Sequence, residues 1–256
     1  MKITIIGAGN MGSAIARGLA QGNLIKAKDI TVSNPSNGKL ETLKTAFPDI
    51  VTTNDNEKAV ENADIVILAV KPWLVAKVVP SLKLKCSQIF VSLAAGITTE
   101  QLTEYVNPRI PIARMIPNTA IAELSSMTLI STRDMTKEQE QLLLNIFNEM
   151  GMTLIIDESK MAAATALTSC GIAYVLKYVQ AAMQAGIEMG ITQKESMTMV
   201  AQSLEGAAKI LLNNNTHPSI EIDKVTTPGG LTIKGINELE HNGFTSAIIK
   251  AIKASL

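Results

Sequence analysis

Two glycine turns in this chain could each grip an anion, and they lie about 220 residues apart. The first is KITIIGAGNMG at Lys2 to Gly12, an apolar run entering Gly7-x-Gly9-x-x-Gly12. A β-branched run opening into spaced glycines and then an alanine- and leucine-bearing stretch, Ser13 to Gly22, reads as strand, turn and helix. Gly7 permits the turn, Gly9 lets the backbone approach phosphates, and Gly12 lets helix and strand pack closely. The helix start offers free N–H groups to a pyrophosphate. Ile6, Gly7, Ala8, Gly9, Asn10, Met11 and Gly12 are therefore candidate dinucleotide contacts, with a plain glycine turn as the alternative. The second turn, Thr226-Thr227-Pro228-Gly229-Gly230-Leu231-Thr232, places two glycines where another helix begins. Its amides and hydroxyls suit a small carboxylate, so Thr227, Gly229, Gly230 and Leu231 are candidate substrate contacts. Simple N-capping of the Leu231 helix is the alternative.

Between these turns, three further segments sit where apolar runs end. A dinucleotide site for NAD usually carries an acidic residue at the end of the second strand, to accept from the ribose hydroxyls. Ser33 and Asn34 stand there instead, followed by Ser36 and Lys39. With no carboxylate to repel a 2′-phosphate, NADPH is favoured, with NADH as the alternative; ordinary turn chemistry also fits Asn-Pro-Ser-Asn-Gly. Ala69, Val70, Lys71 and Pro72 close a buried run, and Ala94, Ala95 and Gly96 close the next. Ligands gather at the carboxyl ends of strands in open α/β sheets, so both loops are expected to flank the cofactor. Arg114-Met115-Ile116-Pro117-Asn118-Thr119 combines a cation, a turn and a hydroxyl, which makes Asn118 a candidate substrate contact and leaves Arg114 with a structural role. His217 and His241 are isolated, in surface or capping roles. No carboxylate dyad, triad spacing or metal-ligand cluster emerges. Hydride transfer to an activated imine needs positioning more than an acid–base pair.

The elements that must position these residues follow from the patterning. Apolar runs at Ile30 to Ser33, Ala63 to Val70, Ile89 to Leu93, Ile112 to Ile116 and Met127 to Ser131 read as strands. Leu40 to Phe47 and Thr136 to Met150 read as helices between them, so residues 1–156 are expected to form a Rossmann-type, doubly wound parallel sheet. From Glu158 the strand pattern stops, and residues 157–256 are expected to be an all-helical dimerisation and substrate domain. Asp157 would open a long helix through Gly186, and Thr192 with Glu195 a capping box for Thr192 to Asn213. Pro218 and Pro228 would break the chain before helices at Leu231 to His241 and Phe244 to Ala254. The first long helix is apolar nearly all round, with small residues such as Ala162, Ala166, Gly171 and Ala173. Such a helix needs burial on every face, which two or three other helices scarcely supply, so a homodimer is expected through this region.

The 256 residues, 46% of them hydrophobic, suffice for two cores, and the net charge of zero gives no footprint for nucleic acid or an anionic membrane. Two cysteines, Cys86 and Cys170, argue against a disulfide scaffold or zinc site and for the cytoplasm. The tract Met161 to Leu176 is read as too short to cross a bilayer.

Together, GAGNMG at 7–12, AVKP at 69–72, RMIPNT at 114–119, His217-Pro218 and TTPGGLTI at 226–233 resemble the pyrroline-5-carboxylate reductases over nearly the whole chain. The resemblance implies a Rossmann domain binding NADPH or NADH, a helical dimerisation domain, often a larger ring of dimers, and reduction of L-1-pyrroline-5-carboxylate to L-proline. It places Asn56 near the adenosine ribose and the Thr232 hydroxyl against the imine nitrogen as the catalytic donor. The chain departs from the family pattern at Ile116 and Ala120, at Thr168 to Tyr174 where Cys170 and Ile172 replace a Ser-Gly-Ser-Gly-Pro pattern, and at Leu231. All lie on the substrate side. Two rivals share the opening motif. A β-hydroxyacid dehydrogenase would need an asparagine one turn after a helix lysine, where Ala164 follows Lys160 here; a nucleotide-sensing, non-catalytic protein would not need PGGLTI.

Overall fold

The apolar runs of the first half become strands because both of their faces are covered. In the computed structural model, which describes residues 1–256, the strands are β1 (Ile3–Ile6), β2 (Ile30–Ser33), β3 (Val51–Thr53), β4 (Ile65–Leu68), β5 (Ile89–Ser92), β6 (Ile112–Ile116), β7 (Ser126–Arg133) and β8 (Gly151–Ile155). They form one sheet in the order β3-β2-β1-β4-β5-β6-β7-β8. Alternate side chains feed two cores: Ile65 and Ile67 of β4 join one cluster, Val66 and Leu68 the other. A strand buried on both sides reads as an unbroken apolar run for that reason. The first six strands in space follow the doubly wound order of a Rossmann sheet.

Two features of the sheet differ from expectation. β7 pairs antiparallel to β6, with Ile112 opposite Arg133 and Ile116 opposite Leu129, so the sheet is mostly rather than wholly parallel. The segment joining them holds only the short 3₁₀ turn Thr119–Glu123, too little chain for a parallel crossover. β7 and β8, joined by the helix Lys137–Asn148, are parallel. The edge strands β3 and β8 escape the sequence reading. β3 has three residues, and β8 turns Met152 and Leu154 outward while Thr153 is buried, the reverse of an amphipathic strand pattern.

The chain divides into two compact units, Met1–Ser169 and Cys170–Leu256. The first holds the sheet and the helices on it, including Asn10–Gln21, Asn37–Ala46 and Asn56–Val60. The second holds helices Gly171–Glu188, Gln193–Asn214, Pro218–Val225, Leu231–His241 and Phe244–Lys253. Thr192 and Glu195 form the expected reciprocal capping box. Pro218, expected only to break the chain, opens a helix: it stands in the first turn, where its missing N–H costs nothing.

The long helical run differs in detail. Asp157 caps a 3₁₀ turn at Glu158–Lys160, an α-helix follows at Met161–Thr165, a π turn at Ala166–Cys170, and regular helix resumes at Gly171–Glu188. The run Glu158–Glu188 is, by length and composition, long and apolar enough to cross a membrane, with mean hydropathy 1.3 over its most apolar window. The uncharged tract Met161 to Leu176 is shorter than the helix that contains it, which continues through Lys177 to Glu188.

Candidate active site

Each glycine of the first turn answers a different demand. Gly7 has φ +109°, and a Cβ there would lie 2.6 Å from the Ala69 carbonyl oxygen, so both conformation and the close approach of β4 require glycine. A Cβ on Gly12 would collide with the Gly7 carbonyl oxygen and reach 3.0 Å from Ala69 Cβ. Around Gly9 no protein atom lies within 4 Å of that position. Nothing in the protein therefore requires glycine at this position, and the space is open to a phosphate. Gly9 is also the N-cap of helix Asn10–Gln21, with no side-chain cap, so the first N–H groups stay free for an anion.

Hydrogen bonds gather the other first-unit candidates around this turn. Gly7 N–H donates to the Ser33 carbonyl at 2.7 Å and Ala8 N–H to Asn34 Oδ1 at 3.1 Å. Asn34, at the position of the usual acidic residue, thus braces the glycine loop while its Nδ2 donates to Ser36. The fully buried Ser33 donates to Asn56 Oδ1 at 2.6 Å, which joins Asn56 to the end of β2. Ala69 N–H donates to the Ile6 carbonyl at 2.8 Å. Ile6 is 1% exposed and its carbonyl is spent on Ala69, so it supports the turn from beneath rather than facing a ligand. Met11 packs against the core, and Asn10, Lys71, Ala95 and Gly96 are exposed, with Val70 and Pro72 half-buried and Ala94 buried. Beside the turn lies a groove of about 300 Å³ bounded by Gly9, Ser13, Arg17, Lys39 and Thr42, among others. It brings two cations, Arg17 and Lys39, near the glycine loop.

The structure also shows a constellation that spacing did not reveal. Glu158 Oε1 accepts from Thr99 N–H at 2.8 Å and from Arg114 Nη1 at 3.3 Å, while Oε2 accepts from Thr99 Oγ1 at 2.5 Å. Burial alone would raise the Glu158 carboxyl, but the bonds from Thr99 and the Arg114 charge outweigh it and hold it below the ordinary glutamate value. Arg114, 8% exposed, therefore ties down a carboxylate rather than main-chain carbonyls. These partners lie 59 and 44 residues from Glu158, and no motif links them. Asn118 is 6% exposed with both ends engaged: Oδ1 accepts from Ala120 N–H at 3.1 Å and Nδ2 donates to the Thr168 carbonyl in the π turn at 3.2 Å.

Within the second unit, Thr227 to Gly230 form one tight turn. Gly230 N–H donates to the Thr227 carbonyl at 2.9 Å, Pro228 takes the second position and Gly229 the third, with φ +72°, as a type II turn demands. Gly230 caps Leu231–His241 without a side chain, so the amides of Leu231 and Thr232 are unclaimed by a cap. Leu231 and Thr232 are exposed. Three helices elsewhere fill this position with a threonine capping box, at Thr98, Thr136 and Thr192. His217 is a cap, its Nδ1 accepting from Ser219 N–H at 3.2 Å.

Known proteins are similar to this chain in sequence and in fold. Residues 158–256 match the family model for pyrroline-5-carboxylate reductase dimerisation, and residues 2–96 the model for NADP oxidoreductase, coenzyme F420-dependent. Pyrroline-5-carboxylate reductase 2 of Dictyostelium discoideum is 37% identical, over 99% of this chain and 90% of that relative. Against reductase 1 of the same organism the chain is 36% identical but spans only 48% of that relative's length. The Escherichia coli pyrroline-5-carboxylate reductase is 32% identical over 98% of this chain and 94% of its own. Among solved structures, a pyrroline-5-carboxylate reductase from Coxiella burnetii superposes with TM-score 0.91 at 30% identity, covering 99% of this chain and 95% of that one. The Plasmodium falciparum pyrroline carboxylate reductase with NADP bound gives 0.89 at 27% identity, covering 100% and 95%. With this identity running end to end through both units, the chain belongs to the pyrroline-5-carboxylate reductase family.

Proposed function

We propose that the chain reduces L-1-pyrroline-5-carboxylate to L-proline, the last step of proline biosynthesis, as a soluble cytoplasmic homodimer. In this reading residues 1–156 bind the dinucleotide, and residues 157–256 dimerise and hold substrate. The observation that carries it is the pairing of two helix starts capped by bare glycine, Gly9 and Gly230, on a chain whose relatives are named for this reaction. One suits a pyrophosphate and the other a carboxylate.

The open space at Gly9 and the free amides of the Asn10 helix fit a dinucleotide. When bound, the reduced nicotinamide supplies the hydride for the imine carbon. The free amides from Gly9 to Gly12 hold the pyrophosphate on the turn that Gly7 and Ala8 shape, Asn34 and Asn56, braced by the buried Ser33, line the adenosine ribose, and Ala69 to Pro72 with Ala94 to Gly96 border the remainder. Asn118 shapes the substrate side through the backbone it fixes. Gly229 and Gly230, with Thr227 and Leu231, grip the substrate carboxylate. Thr232 Oγ1 donates to the ring nitrogen, drawing charge away from the imine carbon as the hydride arrives. The cations Arg17 and Lys39 in the groove beside the glycine loop favour NADPH, whose extra phosphate they attract.

Steady-state cofactor oxidation with pyrroline-5-carboxylate, measured against its six-membered homologue and with each cofactor, tests this. Oxidation that depends on the five-membered imine and prefers NADPH is expected. Cofactor binding without imine-dependent oxidation would leave a sensing protein instead.

A further inference from the structure

The loop from Leu93 to Thr98 is bonded at its two ends, Leu93 N–H to the Leu68 carbonyl at 2.9 Å and Thr98 in a capping box with Gln101, and little between them. Its internal bonds are long: Ala94 N–H reaches Ser92 Oγ at 3.3 Å, and Ile97 N–H reaches the Ala94 carbonyl at 3.4 Å. Ala95 and Gly96, at its tip, are exposed, and Gly96 sits at φ +78°. A loop so weakly bonded takes its position from its ends. One end is β5, whose last residue Ser92 lies opposite Arg114 of β6. The other end is Thr99, the first residue of helix Thr99–Thr103, and there the grip is strong. Glu158 takes the Thr99 N–H at 2.8 Å and its hydroxyl at 2.5 Å, one carboxylate oxygen each, and holds Arg114 through Nη1 at 3.3 Å. Thr99 and Arg114 are 4% and 8% exposed and the Glu158 side chain 26%, so these charge-assisted bonds are partly shielded from water. Arg114 Nε has no partner, which leaves Glu158 as the one counter-charge within reach of the guanidinium.

We propose that Glu158 is a positioning residue for catalysis: held in place by Arg114, its carboxylate grips Thr99 and so fixes the C-terminal end of the Ala94–Gly96 loop, which sets the depth at which the nicotinamide ring rests. This inference rests on the reductase reading of the site. Glu158 need not touch cofactor or substrate. Its effect is to hold reacting atoms within the few tenths of an ångström that hydride transfer tolerates.

The test uses the full chain with Glu158→Gln, which keeps an oxygen for Thr99 but loses the charge, and Thr99→Val, which loses only the hydroxyl. Turnover, the Michaelis constants, the NADPH dissociation constant and amide exchange over residues 94–99 are measured for each. Expected for Glu158→Gln is a loss of turnover of about 10- to 100-fold, with the NADPH dissociation constant changed by no more than about 3-fold. Amide exchange at 94–99 should quicken, and Thr99→Val should show the same pattern at smaller size. Unchanged turnover together with a lowered melting temperature would reduce the cluster to a structural ion pair and overturn the proposal. Should wild type show no imine reduction, the reductase reading fails by itself; the exchange rates at 94–99 with NADPH bound still decide whether Glu158 sets the loop.

Discussion

The two units of this chain solve the burial problem differently. The first encloses its apolar residues on both faces of one sheet, with Ile3, Ile5, Phe90 and Phe147 among side chains at most 1% exposed. The second has five helices and almost no interior: only Gly186 and Ser196 within them are buried. Leu176, Leu212 and Val225 are 61%, 67% and 60% exposed. Fully burying a leucine is worth about 1.5–3 kcal/mol, so such a surface is a stored driving force for association. Thus the first unit is complete as one chain and the second is not. Its match to a dimerisation family accords with a second copy as its cover.

The largest effect should come from breaking that cover. Leu176→Glu combined with Leu212→Glu should raise the dimer dissociation constant by three decades or more, since losing two buried leucines and burying two charges costs at least about 5 kcal/mol. Sedimentation of the variant at micromolar concentration should show monomer or aggregate where wild type is dimeric. A dimer that survives both charges would place the interface elsewhere, and a monomeric wild type would remove the contrast altogether.

Next in size is a pair of changes in the first unit. Gly7→Ala meets both positive φ and the Ala69 carbonyl, and should destabilise the fold by about 2–4 kcal/mol in denaturant unfolding. Gly9→Ala enters open space, so stability should stay within about 0.5 kcal/mol while NADPH affinity falls by about 10-fold or more. Equal stability losses would mean that the two glycines share a structural role.

Thr232→Ala should sharpen the contrast from the second unit. The side chain is exposed, so dimer and melting temperature should hold, while turnover drops by about 10- to 100-fold, the scale of one positioned donor. Unchanged turnover would take Thr232 out of the site.

The smallest effect is electrostatic. The Glu158 carboxyl lies below its ordinary value, burial opposing but not cancelling the bonds from Thr99 and Arg114. A lowered folded value means stability fully present above the unfolded glutamate pKa of about 4.3, and lost as pH falls through the folded one. Relative to Glu158→Gln, wild type should be more stable by about 1 kcal/mol at pH 7, an advantage that shrinks below about pH 4.3 in thermal melts. An advantage constant down to acid pH would mean that the charge is not what Glu158 contributes.

Much of the architecture was legible from the residues. β2 and β6 and helix Leu231–His241 carry the bounds that patterning assigns, and the Thr192 capping box is where its spacing puts it. Those signals are local, set by period and by side chains three residues apart. The reversal of β7 follows from the short chain between Ile116 and Ser126, and patterning misses it because an apolar run does not say which way its neighbour runs. The outward Met152 and Leu154 of β8 hid an edge strand for a related reason: burial there is decided by what lies alongside, not by period.

For the site, the sequence by itself determined both glycine turns, since backbone conformation and helix-start amides are properties of a few adjacent residues. It also pointed to the family, because those turns and the motifs between them together resemble the pyrroline-5-carboxylate reductases. Only the tertiary structure decided that Asn34 braces the glycine loop, that Asn118 is spent on the Thr168 carbonyl, and that Glu158 meets Thr99 and Arg114. Each is a hydrogen bond between residues 26 to 59 positions apart, and no local pattern encodes a partner that the fold alone brings within reach.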